Sequence, residues 1–236
     1  MATTVTYKGA TLTTVDNQTK VLQTSGKWCE DDFTLVDVSG GGGITVDDIA
    51  TRSAPTGAVT VTANNIVAYG FSGYTGITSF TADSVTLLRQ NVLSDCTNLT
   101  SVSFAGATSV NGTLQFSNCS NLTSVNLPNL ASINNQVFQG CTSLEIIDLP
   151  KVTAMNRSGV FRNCYKLQTV ILRHSSVVAI NNDTFANTPL AGYNGLTGTV
   201  YVPDSLITSY QTATNWSTLY SNGTVSFVKI EGSIYE

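Results

Sequence analysis

The chain has 236 residues, of which 42% are hydrophobic and 11% charged, with a formal net charge of −4 and a mean hydropathy of +0.11. That length supports one elongated body plus a smaller module. No basic face is present, which excludes an electrostatic nucleic-acid binder, and no run of about 18 apolar residues exists to cross a membrane as a helix.

Residues 1–39 read as a small β module. Val5–Tyr7 and Thr11–Val15 have strand character, split by Lys8-Gly9-Ala10, and Asp16-Asn17 gives a turn signal. Val21-Leu22 and Phe33–Val38 read as two more strands. This module holds too few apolar residues for a generous core, so it is expected to pack on something, as an attachment or oligomerisation element. Glu30, Asp31 and Asp32 are read as a solvated turn rather than calcium ligands, because consecutive acids on a strand face opposite ways. Met1–Ala10 has no apolar core and no basic start, so it is not read as a signal peptide. Residues 40–43 are four glycines, a flexible linker, and no Gly-Lys-Ser/Thr succeeds them to make a phosphate loop. Residues 44–70 are expected to form an N-terminal cap on the body that begins at residue 71, with a helical turn at Asp47–Ala50 and strands at Ala58–Thr62 and Ile66–Ala68.

From residue 71 to 198 one phrase repeats. It reads Phe116, Cys119, Leu122, Val125, Leu127, then Phe138, Cys141, Leu144, Ile147, Leu149, then Phe161, Cys164, Leu167, Val170, Leu172. An earlier copy has Leu93, Cys96, Leu99, Val102 and Phe104, the first has Phe71, Tyr74, Ile77 and Phe80, and the last starts at Phe185 with Thr188 in the cysteine slot. Spacings of 22, 23, 22, 23 and 24 residues separate Tyr74, Cys96, Cys119, Cys141, Cys164 and Thr188. A period in this range with leucine-type spacing marks a leucine-rich solenoid, whose coils bury their apolar sides only by stacking. The alternation at the end of each phrase gives one short half-buried strand per coil. A second apolar pair, such as Ile133 with Phe138 or Met155 with Phe161, closes the far side. The expected fold class is therefore mostly β: a solenoid with a small N-terminal β module and a C-terminal helix-strand cap.

The phrase Phe-x-x-Cys-x-x-Leu-x-x-Val-x-Leu-Pro, clearest at Phe116–Pro128 and Phe138–Pro150, resembles the BspA-like leucine-rich repeat. That resemblance implies adhesion or binding, because such repeats occur on bacterial surface and secreted proteins and in bacteriophage proteins. The N-terminal stretches Tyr7-Lys-Gly9, Val15-Asp16, Thr24–Lys27 and Glu30–Leu35 resemble openings of phage tail and fibre proteins. With no signal peptide read and with the glycine linker, the N-terminal resemblance points to a virion protein, such as a tail or head fibre, a decoration protein or a receptor-binding protein. Its partners would be other virion proteins or itself, as a homo-oligomer through residues 1–39. The solenoid would meet a host surface protein or glycan. The alternative is a secreted or cell-surface adhesin of a gut bacterium.

Cys96, Cys119, Cys141 and Cys164 share one slot, so they are expected to stack in a column as free thiols in the core. A straight column does not make a tetrahedral metal site. Asparagines at the coil turns, including Asn98, Asn118, Asn121 and Asn163, fit turn bonding and left-handed backbone. Asn98 and Asn121 also sit in Asn-x-Thr glycosylation patterns. Residues 199–236 read as the closing unit, with a strand at Thr199–Pro203, a helix from Asp204 with Leu206, Ile207, Tyr210 and Ala213 on one face, and a strand at Val225–Ile230.

No catalytic set, metal site or cofactor is expected. His174 is the one histidine, no nucleophile-elbow pattern accompanies it, and Glu145 and Asp148 do not form the carboxylate pair that sugar hydrolysis requires. What remains is a surface. One solvent-facing column reads Thr81, Ser103, Asn126, Asp148, Ile171, Tyr201, and its neighbour reads Ser79, Ser101, Ser124, Ile146, Thr169. Both grow more apolar towards the C-terminal end. Ile146, Asp148, Ile171, Arg173, His174, Tyr193 and Tyr201 are the candidate partner-binding residues. The competing reading has Ile146 and Ile171 packed under the insertion at Ala191–Gly198.

Overall fold

The computed structural model describes residues 3–7, 10–14, 56–61, 64–66 and 68–236. The expected turns and strands at 15–38, the acidic triplet, Cys29, the glycine linker and the turn at Asp47–Ala50 lie outside the described residues. Strands β1 (Thr3–Tyr7) and β2 (Ala10–Thr14) pair antiparallel, with Thr3 opposite Thr14 and Tyr7 opposite Ala10.

The remaining strands are short and parallel, and they appear at the repeat period. On the main sheet side they are β3 (Gly57–Thr60), β4 (Ile77–Thr81), β6 (Ser101–Ser103), β8 (Ser124–Asn126), β9 (Ile146–Asp148), β11 (Thr169–Ile171), β13 (Gly198–Val202) and β14 (Val225–Lys229). The far side carries two-residue strands: β5 (Leu87–Leu88) pairs β7 (Ser109–Val110), and β10 (Ala154–Met155) pairs β12 (Ala179–Ile180). The register is that of the repeat, since Phe80, Val102 and Val125 align, as do Ile147, Val170 and Val200. The sequence runs this ladder unbroken, but hydrogen bonding stops between β8 and β9. Two four-stranded sheets result, β3-β4-β6-β8 and β9-β11-β13-β14. Ile66 and Ala68, expected in a strand, lie outside any strand. Ile66 is buried all the same.

The interior is a column of stacked rings. Phe116, Phe138, Phe161 and Phe185 occupy one slot, with centroids 5.4, 5.3 and 5.5 Å apart and the last two pairs within 4° of parallel. Offset stacking at this separation adds to plain burial. The second coil has Leu93 in that slot, and the ring path detours. Phe71 meets Phe80 at 4.8 Å, Phe80 meets Phe104 at 5.6 Å, and Phe104 meets Phe116 at 5.7 Å. Phe104 stands where the neighbouring coils place Ala82 and Leu127. The coil that loses a ring on one wall thus regains it on the other, which keeps its cross-section filled.

The turns between wall and sheet need left-handed backbone. The residue just before the cysteine slot has positive φ in every coil: Gly73, Asp95, Asn118, Gly140, Asn163 and Asn187. Glycine, asparagine and aspartate tolerate that conformation best. At Gly140 a Cβ would sit 2.6 Å from Asn118 Oδ1, so close stacking excludes a side chain there as well. Asn98 and Asn121 are exposed and have ordinary φ.

After Val202 a 3-10 turn (Asp204–Leu206) leads into α1 (Ile207–Thr212) and then α2 (Trp216–Ser221). Tyr210 and Trp216 are fully buried. The Trp216 ring lies 5.6 Å from Phe185, 5.6 Å from Tyr210 and 5.7 Å from Phe227. Its indole N–H donates to Val178 O at 2.8 Å, and the Tyr210 hydroxyl accepts from Val178 N–H at 3.0 Å. Two aromatic residues therefore close the ring column and satisfy the backbone of the last coil.

The detour gives a thermodynamic signature. Leu93→Phe alone overfills the second coil, at about 1–3 kcal/mol, and Phe104→Leu alone leaves a void. The double variant restores a straight column and is expected to be more stable than the sum of the two singles implies, with a coupling of about 1 kcal/mol or more in urea unfolding.

Candidate functional site

The cysteine column is spent on the fold. Cys96, Cys119, Cys141 and Cys164 are fully buried free thiols. Each donates to a carbonyl of the preceding coil, namely Phe71 O, Leu93 O, Phe116 O and Phe138 O, at 3.1–3.2 Å. Burial pushes the Cys96 thiol up to about 12 and raises the other three as well. Among the described residues no group of three or more His, Cys, Asp or Glu is placed to hold a metal.

The threonine-rich flank is also committed. Thr100 Oγ1 donates to Thr78 O, Thr123 Oγ1 to Thr100 O, Thr108 Oγ1 to Thr86 O and Thr153 Oγ1 to Ala131 O. These hydroxyls lace one coil to the next.

The side chains that depart from the repeat gather on the second sheet. Asp148, Ile171, Tyr201 and Val228 align across β9, β11, β13 and β14. Arg173 donates to both Asp148 oxygens, from Nε at 3.3 and 3.1 Å and from Nη2 to Oδ2 at 3.0 Å. Both partners stay about one-third exposed, so the pair orients more than it stabilises. Tyr201 packs edge-on against Tyr235 at 4.7 Å. Ile146 is half-buried.

Ile171 corrects the sequence reading. Alternation makes it an exposed contact, yet it is only 2% exposed. It lies in register between Asp148, which holds Arg173, and Tyr201, which holds Tyr235, so its flanks are closed on both sides. In the insertion, Tyr193 stacks on Tyr165 at 4.9 Å and 21°, beside the Glu145–Lys166 pair at 3.8 Å. Tyr165 is 39% exposed. His174 Nδ1 accepts from the Ser176 amide at 3.2 Å and pairs with Ser176 Oγ at 2.8 Å. That contact closes a local turn, and among the described residues no carboxylate bonds the ring.

Sequence reasoning missed Tyr165 and Tyr235. Tyr165 was visible as a departure, since the same slot holds Thr97, Ser120 and Thr142 in earlier coils. Tyr235 had no periodic signal. The resulting surface offers flat aromatic faces and one oriented ion pair, which suits recognition by stacking and hydrogen bonding.

The BspA type leucine-rich repeat region matches residues 64–191 in six copies. Among solved structures, the chain is similar to a leucine-rich repeat protein of Treponema pallidum (T. pallidum), with 22% identity and a TM-score of 0.46 over 68% of this chain and 67% of that one. It is similar to a leucine-rich cell surface protein of Faecalibacterium prausnitzii A2-165, with 17% identity and a TM-score of 0.48 over 79% of this chain and 55% of that one. A leucine-rich repeat protein of Bacteroides ovatus ATCC 8483 matches with 14% identity and a TM-score of 0.33 over 80% and 70%. Among curated proteins none matches. The expected phage likeness of the N-terminal segment has no counterpart in these matches.

Thiol chemistry tests the cysteine assignment. For Cys96, raised to about 12, the thiolate fraction at pH 8 is on the order of 10⁻⁴, and burial raises the other three as well. Of the five cysteines, the four in the column are expected to stay unreactive towards a disulfide reagent in the native protein and to titrate on unfolding. Rapid native modification of more than one equivalent contradicts the assignment.

Proposed function

The chain belongs to the BspA-type leucine-rich-repeat family, and on that premise we propose that it is a non-enzymatic binding protein that is secreted or held at the cell surface. Its recognition face is the solvent side of β9-β11-β13-β14, and its ligand is a surface protein or glycan of another cell. The observation that carries this reading is the gathering of departures from the repeat on one sheet. Asp148 with Arg173, Tyr201 with Tyr235, and Tyr165 with Tyr193 all lie on or beside it. The first sheet presents Ser79, Ser101, Ser124, Thr81, Ser103 and Asn126 in the same columns. Small polar residues of that kind rarely anchor binding, whereas tyrosine and arginine do.

The reading is tested on arrays of immobilised glycans and surface proteins. Tyr201→Ala and Arg173→Ala are each expected to weaken binding by about 2 kcal/mol, roughly thirty-fold in Kd, while Tm moves by a few degrees at most. Binding that survives both changes but is lost on altering Ser103 and Asn126 places the face on the first sheet instead.

A further inference from the structure

Among the described residues, nothing pairs with the outer edge of β14 in the second sheet. In β13-β14 the residues that face each other are even-numbered on both strands, because Gly198 N–H donates to Thr224 O and Ile230 N–H donates to Val202 O. Residues on a parallel strand alternate sides, so the amides and carbonyls of Val225, Phe227 and Lys229 point away from β13. Strand β14 is the last in its sheet, and no hydrogen bond reaches those groups from any described residue. A five-residue edge strand with unpaired backbone is a template for another strand. Exposed apolar residues on and beside β14 are Val228 at 38%, Tyr220 at 43% and Ile234 at 89%, among exposed Ser226, Lys229 and Glu231.

We propose that β14 pairs antiparallel with β14 of a second copy, joining two solenoids end to end about a two-fold axis. The strand is complementary to itself about Phe227, and its one charge sets the register. Centred on Phe227, the pairing sets Val225 opposite Lys229, so the outward amides 225, 227 and 229 exchange bonds with their counterparts. The two Lys229 side chains, the only charges within β14, then stand four residues apart along the sheet. That is roughly 13 Å, beyond the screening length of ~8 Å at physiological salt. Sliding the register to bring Lys229 against Lys229 is disfavoured. A two-fold interface is closed, so it stops at the dimer.

The same register places Ser226 opposite the other copy's Val228 as a non-hydrogen-bonded pair, with Cα atoms about 4.5 Å apart. That distance suits a disulfide. Both side chains are exposed, so the substitutions do not disturb the core.

The test uses the full chain in sedimentation velocity up to about 100 μM, which detects Kd values of tens of micromolar. The protein is expected to sediment as a dimer. Lys229→Pro removes one outward amide and keeps the inward bonds, as proline allows at a sheet edge. It is expected to be monomeric with an unchanged far-UV spectrum. The double variant Ser226→Cys/Val228→Cys is expected to form a covalent dimer on mild oxidation, and neither single variant is. A wild-type monomer throughout the range overturns the proposal. So does a dimer that persists in folded Lys229→Pro and gives no cross-link in the double variant, because association then runs through another part of the chain, such as residues 1–39. If Lys229→Pro fails to fold, the cross-link decides.

Discussion

A single coil of this protein buries nothing by itself, and the ring column running through the solenoid is what makes the coils depend on one another. Each phenylalanine has one face on the coil before and one on the coil after, at centroid separations near 5.5 Å. The thiol beneath it bonds the preceding carbonyl, and the threonine on the flank does the same. Stability is then a chain of nearest-neighbour terms. Such a chain is weakest where a neighbour is missing, which is why Trp216 packs on Phe185 at the C-terminal end and Tyr210 and Phe227 pack on Trp216.

This arrangement explains a composition that looks bland. Charge is scarce because the interior needs none and the flanks use hydroxyls and amides to tie coils together. Asparagine is frequent partly because Asn118, Asn163 and Asn187 sit at left-handed turns, and Asn187 Nδ2 donates to Asn163 Oδ1 at 2.8 Å along that turn. Groups committed in this way are poor material for a ligand site. The residues that the repeat does not require concentrate from Asp148 onward. The same end holds the open edge strand. The proposed recognition face uses side chains and the proposed edge pairing uses backbone, so the two draw on different atoms.

Much of this was legible in the sequence. The slots, their period, the cross-strand columns and the shared cysteine position come from spacing alone, because a solenoid repeats its contacts as it repeats its residues. The detour through Phe80 and Phe104 was not legible, since it depends on how Leu93 leaves space in three dimensions. The break between β8 and β9 has no mark in the phrase. Ile171 was left between an exposed and a packed reading, because alternation gives the direction of a side chain but not what lies over it, and it proves buried. The acidic triplet and the glycine run at the N-terminal side fall outside the described residues.

The central claim is that the closing aromatics hold the column shut, and Trp216→Ala tests it most directly. Truncating a buried tryptophan costs about 3–5 kcal/mol, which for a chain of this size is a fall in Tm of roughly 10 °C. Hydrogen exchange followed across the coils should show protection lost first around Val178–Phe185 and then spreading towards Phe116. Uniform loss across all coils, or a Tm within a degree or two of the unaltered protein, contradicts a column sealed at that end.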